Sequence, residues 1–135
     1  MRALTKRTIQ TTELDLHIEY KGNRTPQGLQ IMRETEGRAA RPLDPRLDLR
    51  NHSPTGLEVG YLGSGPAQTA LALLADVTDE HTALHLYQRF KREVVQRLPR
   101  EGFTLTETEI LRWLELRKHE VPQPDVDGWD LREEG

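Results

Sequence analysis

Residues 66–77 read Pro-Ala-Gln-Thr-Ala-Leu-Ala-Leu-Leu-Ala-Asp-Val. Ala67, Ala70, Leu71, Ala72, Leu73, Leu74 and Ala75 leave almost no polar face on a helix drawn through them. Such a helix belongs at the centre of a fold, because it must be covered on every side. The run is too short to cross a bilayer, which takes about 20 apolar residues. The rest of the chain must therefore wrap around it. Pro66 suits a first helical turn, where a missing N–H is no loss.

The covering elements can be read on both sides. Glu13-Leu-Asp-Leu-His-Ile-Glu-Tyr20 alternates strictly, with Leu14, Leu16, Ile18 and Tyr20 on one face, as in a half-buried strand. Residues 21–28, Lys-Gly-Asn-Arg-Thr-Pro-Gln-Gly, read as a turn, and residues 29–34 as the returning strand of a hairpin. Pro42, Pro45 and Pro54 forbid a helix in residues 35–56, which leaves a long loop of the kind that often carries function. Leu57 to Tyr61 reads as a short strand ended by Gly63-Ser64-Gly65. A second helix is expected over 79–98, closed by Pro99, with Ala83, Tyr87, Phe90, Val94 and Leu98 as its apolar stripe. A third is expected to end near His119; Thr106 and Glu109 form its capping box and Leu105 staples onto Ile110.

These readings give one α+β domain over residues 13–119. A small antiparallel sheet of two or three strands, including an N-terminal hairpin, packs against three helices. A flexible basic arm (1–12) precedes it and an acidic disordered tail (120–135) follows. The chain of 135 residues has no room for a second full domain. It contains no cysteine, so disulfides and thiolate chemistry are excluded. With no secretory signal or membrane span read in it, we expect a cytoplasmic protein. The net charge of -3 lies mostly in the tail, so the body lacks the positive field of a dedicated nucleic-acid binder.

The run Leu43-Asp-Pro-Arg-Leu-Asp-Leu-Arg-Asn-His-Ser-Pro-Thr-Gly-Leu-Glu58 continues as Val59-Gly-Tyr-Leu-Gly-Ser-Gly-Pro-Ala-Gln68. Together with Tyr87-Gln-Arg-Phe-Lys91, it resembles an uncharacterised family of small domains from bacteria, plasmids and phages. The resemblance covers about residues 18–116. Leu57 and Val59 stand where the pattern has aromatic residues, and Leu62 where it has glycine. The resemblance implies a mobile-element setting and no activity.

Several residues carry chemistry worth placing. Gly63, Ser64 and Gly65 precede a helix whose N-terminus attracts anions, and such turns hold phosphates. Gln68 follows one turn later. The pattern is neither a P-loop nor a dinucleotide fingerprint, and the same residues also make an ordinary helix-starting turn. Asn51, His52 and Ser53 sit in a polar loop; His52 suits a base, and Ser53 a nucleophile if a base reaches it. The bland alternative is a loop bonded to its own backbone. Arg89 and Lys91, with Gln88 and Arg92, can meet phosphates or simply form a solvated helix face. His81 and His85 share a face but lack the rest of a metal motif. Trp129 and Leu131, set among carboxylates, suit a docking peptide.

No complete catalytic constellation is present, and neither a metal nor a cofactor is implied. We expect a non-enzymatic interaction or regulatory module of mobile-element type with a protein partner. The alternatives are a phosphate-recognising nucleotide or nucleic-acid binder using Gly63–Gly65, and a hydrolase or transferase using His52, Ser53 and Glu58. The oligomeric state is left open.

Overall fold

The computed structural model describes residues 17–123. The basic arm, the start of the first expected strand, and the tail with Trp129 and Leu131 lie outside the described residues. Strands β1 (Ile18–Thr25), β2 (Gly28–Thr35), β3 (Arg41–Pro42) and β4 (Gly102–Thr106) form one antiparallel sheet in the order β3-β2-β1-β4. Helices α1 (Ser64–Val77), α2 (Glu80–Glu93) and α3 (Glu107–Glu115) complete the α+β architecture. The sheet has four strands, more than the two or three expected.

The hairpin is present, but its turn is later than expected. β1 continues through Lys21-Gly22-Asn23-Arg24, and only Pro26 and Gln27 connect it to β2. The Thr25 hydroxyl fixes that turn by accepting from the Gln27 N–H at 3.1 Å and donating to the Gly28 carbonyl at 2.8 Å. Gly22, which reads as a turn residue, serves close packing instead. It pairs with Phe103 of β4, and a Cβ there would fall 2.2 Å from the Phe103 ring.

Tyr20, Ile31 and Leu105 bring one face of the sheet into the core. The buried Tyr20 hydroxyl donates to Asp76 Oδ2 of α1 at 2.5 Å, and Arg33 Nε donates to the same oxygen at 2.7 Å. Burial, then the hydrogen bond to Asp76, push the phenol well above its ordinary pKa, because a phenolate there would lose solvation beside a carboxylate.

α1 is the central element. Every residue from Gly65 to Leu74 is buried, including the polar Gln68 and Thr69. α2 starts as its sequence dictates, with the Asp79 carboxylate accepting from the Thr82 N–H at 2.8 Å. It is shorter than the expected 79–98: the α-helix ends at Glu93 and a 3₁₀ turn, Val95–Arg97, leads to Pro99. There the Val95 carbonyl accepts from the Gly60 N–H at 3.1 Å, a tertiary bond made at the helix end. α3 has the expected capping box between Thr106 and Glu109, with Leu105 and Ile110 both buried. It ends at Glu115 rather than near His119, where a 3₁₀ turn, Lys118–Glu120, takes over. Within residues 120–123, the start of the expected tail, one side chain packs on the domain and the others are exposed. Val121 is buried, and the Pro122 carbonyl lies 2.6 Å from His81 Nε2.

The strand expected at Leu57–Tyr61 is absent. Val59 is fully buried, and the Glu58 N–H donates to Thr69 Oγ1 at 2.9 Å. The segment is thus held by side-chain and loop bonds rather than by a neighbouring strand. No helix among the described residues is long and apolar enough to cross a membrane.

Candidate functional site

The first part of the motif run, residues 43–63, folds as a strap laid over α1, and its buckle is Gln68 in the first turns of that helix. This side chain is fully buried, and all four of its hydrogen-bonding positions are used. Oε1 accepts from the backbone N–H groups of His52 at 2.7 Å and Ser53 at 3.2 Å. Nε2 donates to the carbonyls of Pro45 at 2.6 Å and Arg50 at 3.0 Å. One glutamine thereby satisfies two donors and two acceptors of a loop that has no ladder of its own. Thr69 adds a second fastening, accepting from Glu58 and donating to the Gly65 carbonyl at 3.2 Å.

The strap is also tied to α2. Arg46 has a left-handed backbone (φ 57), and its N–H donates to Asp44 Oδ1 at 2.8 Å. Its guanidinium then grips both Asp48 oxygens and reaches Glu80 at 2.5 Å. His52 Nε2 lies 2.6 Å from the Tyr87 hydroxyl of α2. The Ser53 hydroxyl donates to the Gly56 carbonyl at 2.6 Å, within its own turn. His52 and Ser53 are thus bonded to groups other than each other. Asn51 is exposed and makes no side-chain hydrogen bond among the described residues.

At the N-terminal end of α1, four segments converge: the hairpin turn, residues 53–58, residues 60–65, and the turn before β4. The first three line a cleft of about 220 Å³, with Gln27, Thr55, Glu58, Tyr61, Ser64 and Gly65 among its residues. Arg24 binds the converging segments together. Its Nε and NH2 donate to the Arg100 carbonyl at 3.0 and 2.7 Å, and its NH1 donates to Glu58 Oε2 at 2.7 Å. The Arg24 guanidinium holds the Glu58 carboxyl below the usual range. Glu58 Oε1 is shielded from solvent and has no hydrogen-bond partner among the described residues. Gly65 permits this approach, since a Cβ there would lie 2.7 Å from Glu58 Cβ and 3.2 Å from the Tyr61 hydroxyl oxygen. The Arg100 guanidinium lies over the Tyr61 ring at 5.3 Å from its centre. Tyr61 and Leu62, adjacent in sequence, are 39% and 54% exposed at this end.

The Gly63–Gly65 turn does start a helix, with Gly63 in the cap position and no side-chain cap bond. Its anion-binding capacity is reduced on three counts. Pro66 has no N–H, the Ala67 N–H already donates to the Gly63 carbonyl at 3.0 Å, and the Glu58 carboxylate side chain packs against Gly65. Ser64 is exposed. Arg89 is not at this end of the molecule. It donates to Glu93 Oε2 at 2.7 Å and pairs with Glu120, while Glu93 Oε1 accepts from Trp113 Nε1 at 3.0 Å and Arg117 Nε at 2.9 Å. Lys91 is half-buried and makes no ion pair among the described residues. The His81 and His85 rings stand 4.4 Å apart, and no group of three metal-ligating side chains occurs among the described residues.

The residues that sequence reasoning missed are the partners. The sequence pattern marks Tyr87 as core and places Thr69 in an apolar helix. Arg24 lies in a stretch whose composition predicts a turn. A lone glutamine and threonine inside an otherwise apolar helix are the signal that buried hydrogen bonds are made there.

Neither a search of curated proteins nor one of solved structures finds a match. The model of a family of unknown function, DUF6166, matches residues 20–116, and the chain belongs to that family.

Proposed function

We propose that this member of the family is a non-enzymatic interaction or regulatory module whose strap and adjoining cleft recognise a protein partner. One observation carries the reading. The strap's reactive side chains are already bonded inside the chain, whereas the same pinned segment leaves Tyr61 and Leu62 exposed side by side. His52 contacts the Tyr87 hydroxyl and Ser53 its own turn, so neither is paired with the other as a base and nucleophile. An exposed tyrosine next to an apolar side chain on a fixed backbone is the composition of a binding anchor. A mobile-element setting for this module rests on the resemblance alone.

The phosphate reading has weaker support, because the Glu58 carboxylate lies where an anion would approach α1 and Arg89 is committed to Glu93 and Glu120. The test uses the immobilised full chain and a Leu62→Asp variant, each exposed to a lysate of the organism that encodes the protein. Leu62 is 54% exposed, so the substitution leaves the core intact. A protein retained by the original chain and lost with the variant is the expected result. Identical retention by both, or none by either, overturns the proposal.

A further inference from the structure

The turn before β4 carries a cation that the chain holds in place without neutralising. Arg100 is exposed, and its guanidinium makes no ion pair or hydrogen bond among the described residues. Its position is nevertheless defined at three points. The Arg100 carbonyl accepts from Arg24 Nε and NH2 at 3.0 and 2.7 Å. Its side-chain stem lies against Gly60, whose φ is 89 and where any Cβ would overlap Arg100 Cγ. Its head lies over the Tyr61 ring, 5.3 Å from the centre. The platform is itself anchored, since the Gly60 N–H donates to the Val95 carbonyl at 3.1 Å.

A free arginine side chain loses rotamer freedom when it meets an acid, which is one reason exposed ion pairs contribute little. Resting on Gly60 and Tyr61, Arg100 has given up part of that freedom in advance, so less is lost on pairing. The contact with the ring leaves the N–H donors of the guanidinium for an outside acceptor.

The surroundings select that acceptor. Arg97, three residues earlier, is also exposed and without an ion pair among the described residues. Of the carboxylates around them, Glu58 is bonded to Arg24 at 2.7 Å, and Glu101 is exposed beside Arg100. Arg24, Arg97 and Arg100 thus outweigh Glu58 and Glu101, and the start of α1 adds partial positive charge. Next to this cationic turn stand Tyr61 and Leu62, 39% and 54% exposed. A carboxylate with an apolar neighbour matches such a surface. Nucleic acid matches it less well: Arg100 already lies over the ring on which a base would stack, and Glu101 opposes a run of phosphates.

We propose that this surface receives an acidic segment of the partner protein, one carboxylate pairing with Arg100 while an adjacent apolar side chain packs on Leu62. This rests on the reading of Tyr61 and Leu62 as a recognition surface, and it names the chemistry recognised.

The test is an NMR titration of the full chain with the peptide acetyl-Gly-Asp-Leu-Asp-Gly-amide, its Asn-Leu-Asn counterpart and decathymidylate, following the Arg100 Nε–H and the Leu62 methyl groups. The acidic peptide is expected to give saturable shifts at both, and to weaken in roughly 1 M salt, where the Debye length is about 3 Å. The asparagine peptide is expected to bind about fivefold more weakly, as is the acidic peptide to Arg100→Gln, which keeps the carbonyl that Arg24 uses. Arg112→Gln, which removes an exposed charge from α3, should leave the titration unchanged. Equal binding of the two peptides, or equal weakening by Arg112→Gln and Arg100→Gln, overturns the proposal. So does tighter binding of decathymidylate. Without any peptide, a change in the Arg100 signal on dilution, or on replacing Asp125, Asp127 and Asp130 by asparagine, assigns the surface to a second copy or to the chain's own tail and also overturns it. The peptide comparison in the original chain decides the matter even if Arg100→Gln does not fold. A lysate protein lost with Leu62→Asp but kept by Arg100→Gln removes the carboxylate contact and leaves the interaction module standing.

Discussion

Replacing Gln68 by methionine removes the buckle of the strap while keeping nearly the same length of side chain in the core. Four hydrogen bonds disappear together, and the N–H groups of His52 and Ser53 and the carbonyls of Pro45 and Arg50 lose their partner. A typical intramolecular hydrogen bond contributes a net of about 0.5–1.5 kcal/mol, and an orphaned buried group costs about 1–3. The strap lies on the surface, so water replaces part of what is lost once it lifts. We therefore expect a loss of about 2–4 kcal/mol, a large fraction of the roughly 5–15 kcal/mol that stabilises an ordinary domain. The assay is urea unfolding followed by circular dichroism, with the midpoint and the slope fitted separately. Gln68→Glu should be at least as damaging, since a carboxylate would face the carbonyls of Pro45 and Arg50. A loss below about 0.5 kcal/mol for the methionine variant would refute the reasoning.

Three further outcomes follow from the same geometry. Gly22→Ala should cost about 1–3 kcal/mol through overpacking, because its Cβ would lie 2.2 Å from the Phe103 ring; thermal unfolding of this variant beside a Gly22→Ala/Phe103→Leu double variant should show partial recovery. Thr106→Ala breaks the capping box of α3 and should cost about 1 kcal/mol, measured by the same unfolding experiment. Glu93 is held below its ordinary carboxyl value first by its hydrogen bond to Arg89, so its stabilising contribution is present above the unfolded-state value of 4.5 and is lost as the pH falls through the lower folded value. Stability measured across acid pH should therefore decline less steeply in Glu93→Gln than in the original chain.

Much of the architecture was legible because it rests on local rules. The apolar run in α1 demanded a central helix, and the Thr106–Glu109 spacing marked the start of α3. Gly22-Asn23 has turn chemistry, which draws the expected turn too early, and only the Phe103 ring on a strand 81 residues away explains why Gly22 is extended. β4 carries little signal in the sequence because it is short and its pairing with β1 is long-range. The absence of a strand at Leu57–Tyr61 has the same cause in reverse: an apolar stretch has the pattern of a sheet element, while its N–H groups bond to Thr69 and Val95.

At the candidate site, the motif residues were visible but their partners were not. Asn51, His52 and Ser53 stood out as polar residues in a loop. That the backbone of two of them hangs on Gln68, and that the His52 ring meets Tyr87, depends on how the strap crosses α1 and α2. The spacing of residues along one chain does not encode that crossing. The sequence groups Glu58 with His52 and Ser53 without fixing their separation; its place beside Gly65 and its bond to Arg24 follow from the convergence of loops at one end of the helix. The long polar run between Leu43 and Gln68 thus has a physical reading: Pro45, Arg50, His52, Ser53 and Gln68 make one hydrogen-bonded unit.

Whether the strap is fixed decides whether its exposed groups form a surface at all. The most direct measurement is the set of backbone NMR order parameters for residues 43–65 in the original chain. We predict values near 0.85, like those of α1, at His52, Ser53 and Glu58, whose N–H groups donate to Gln68 and Thr69. Values below about 0.6 at those three positions would contradict the account.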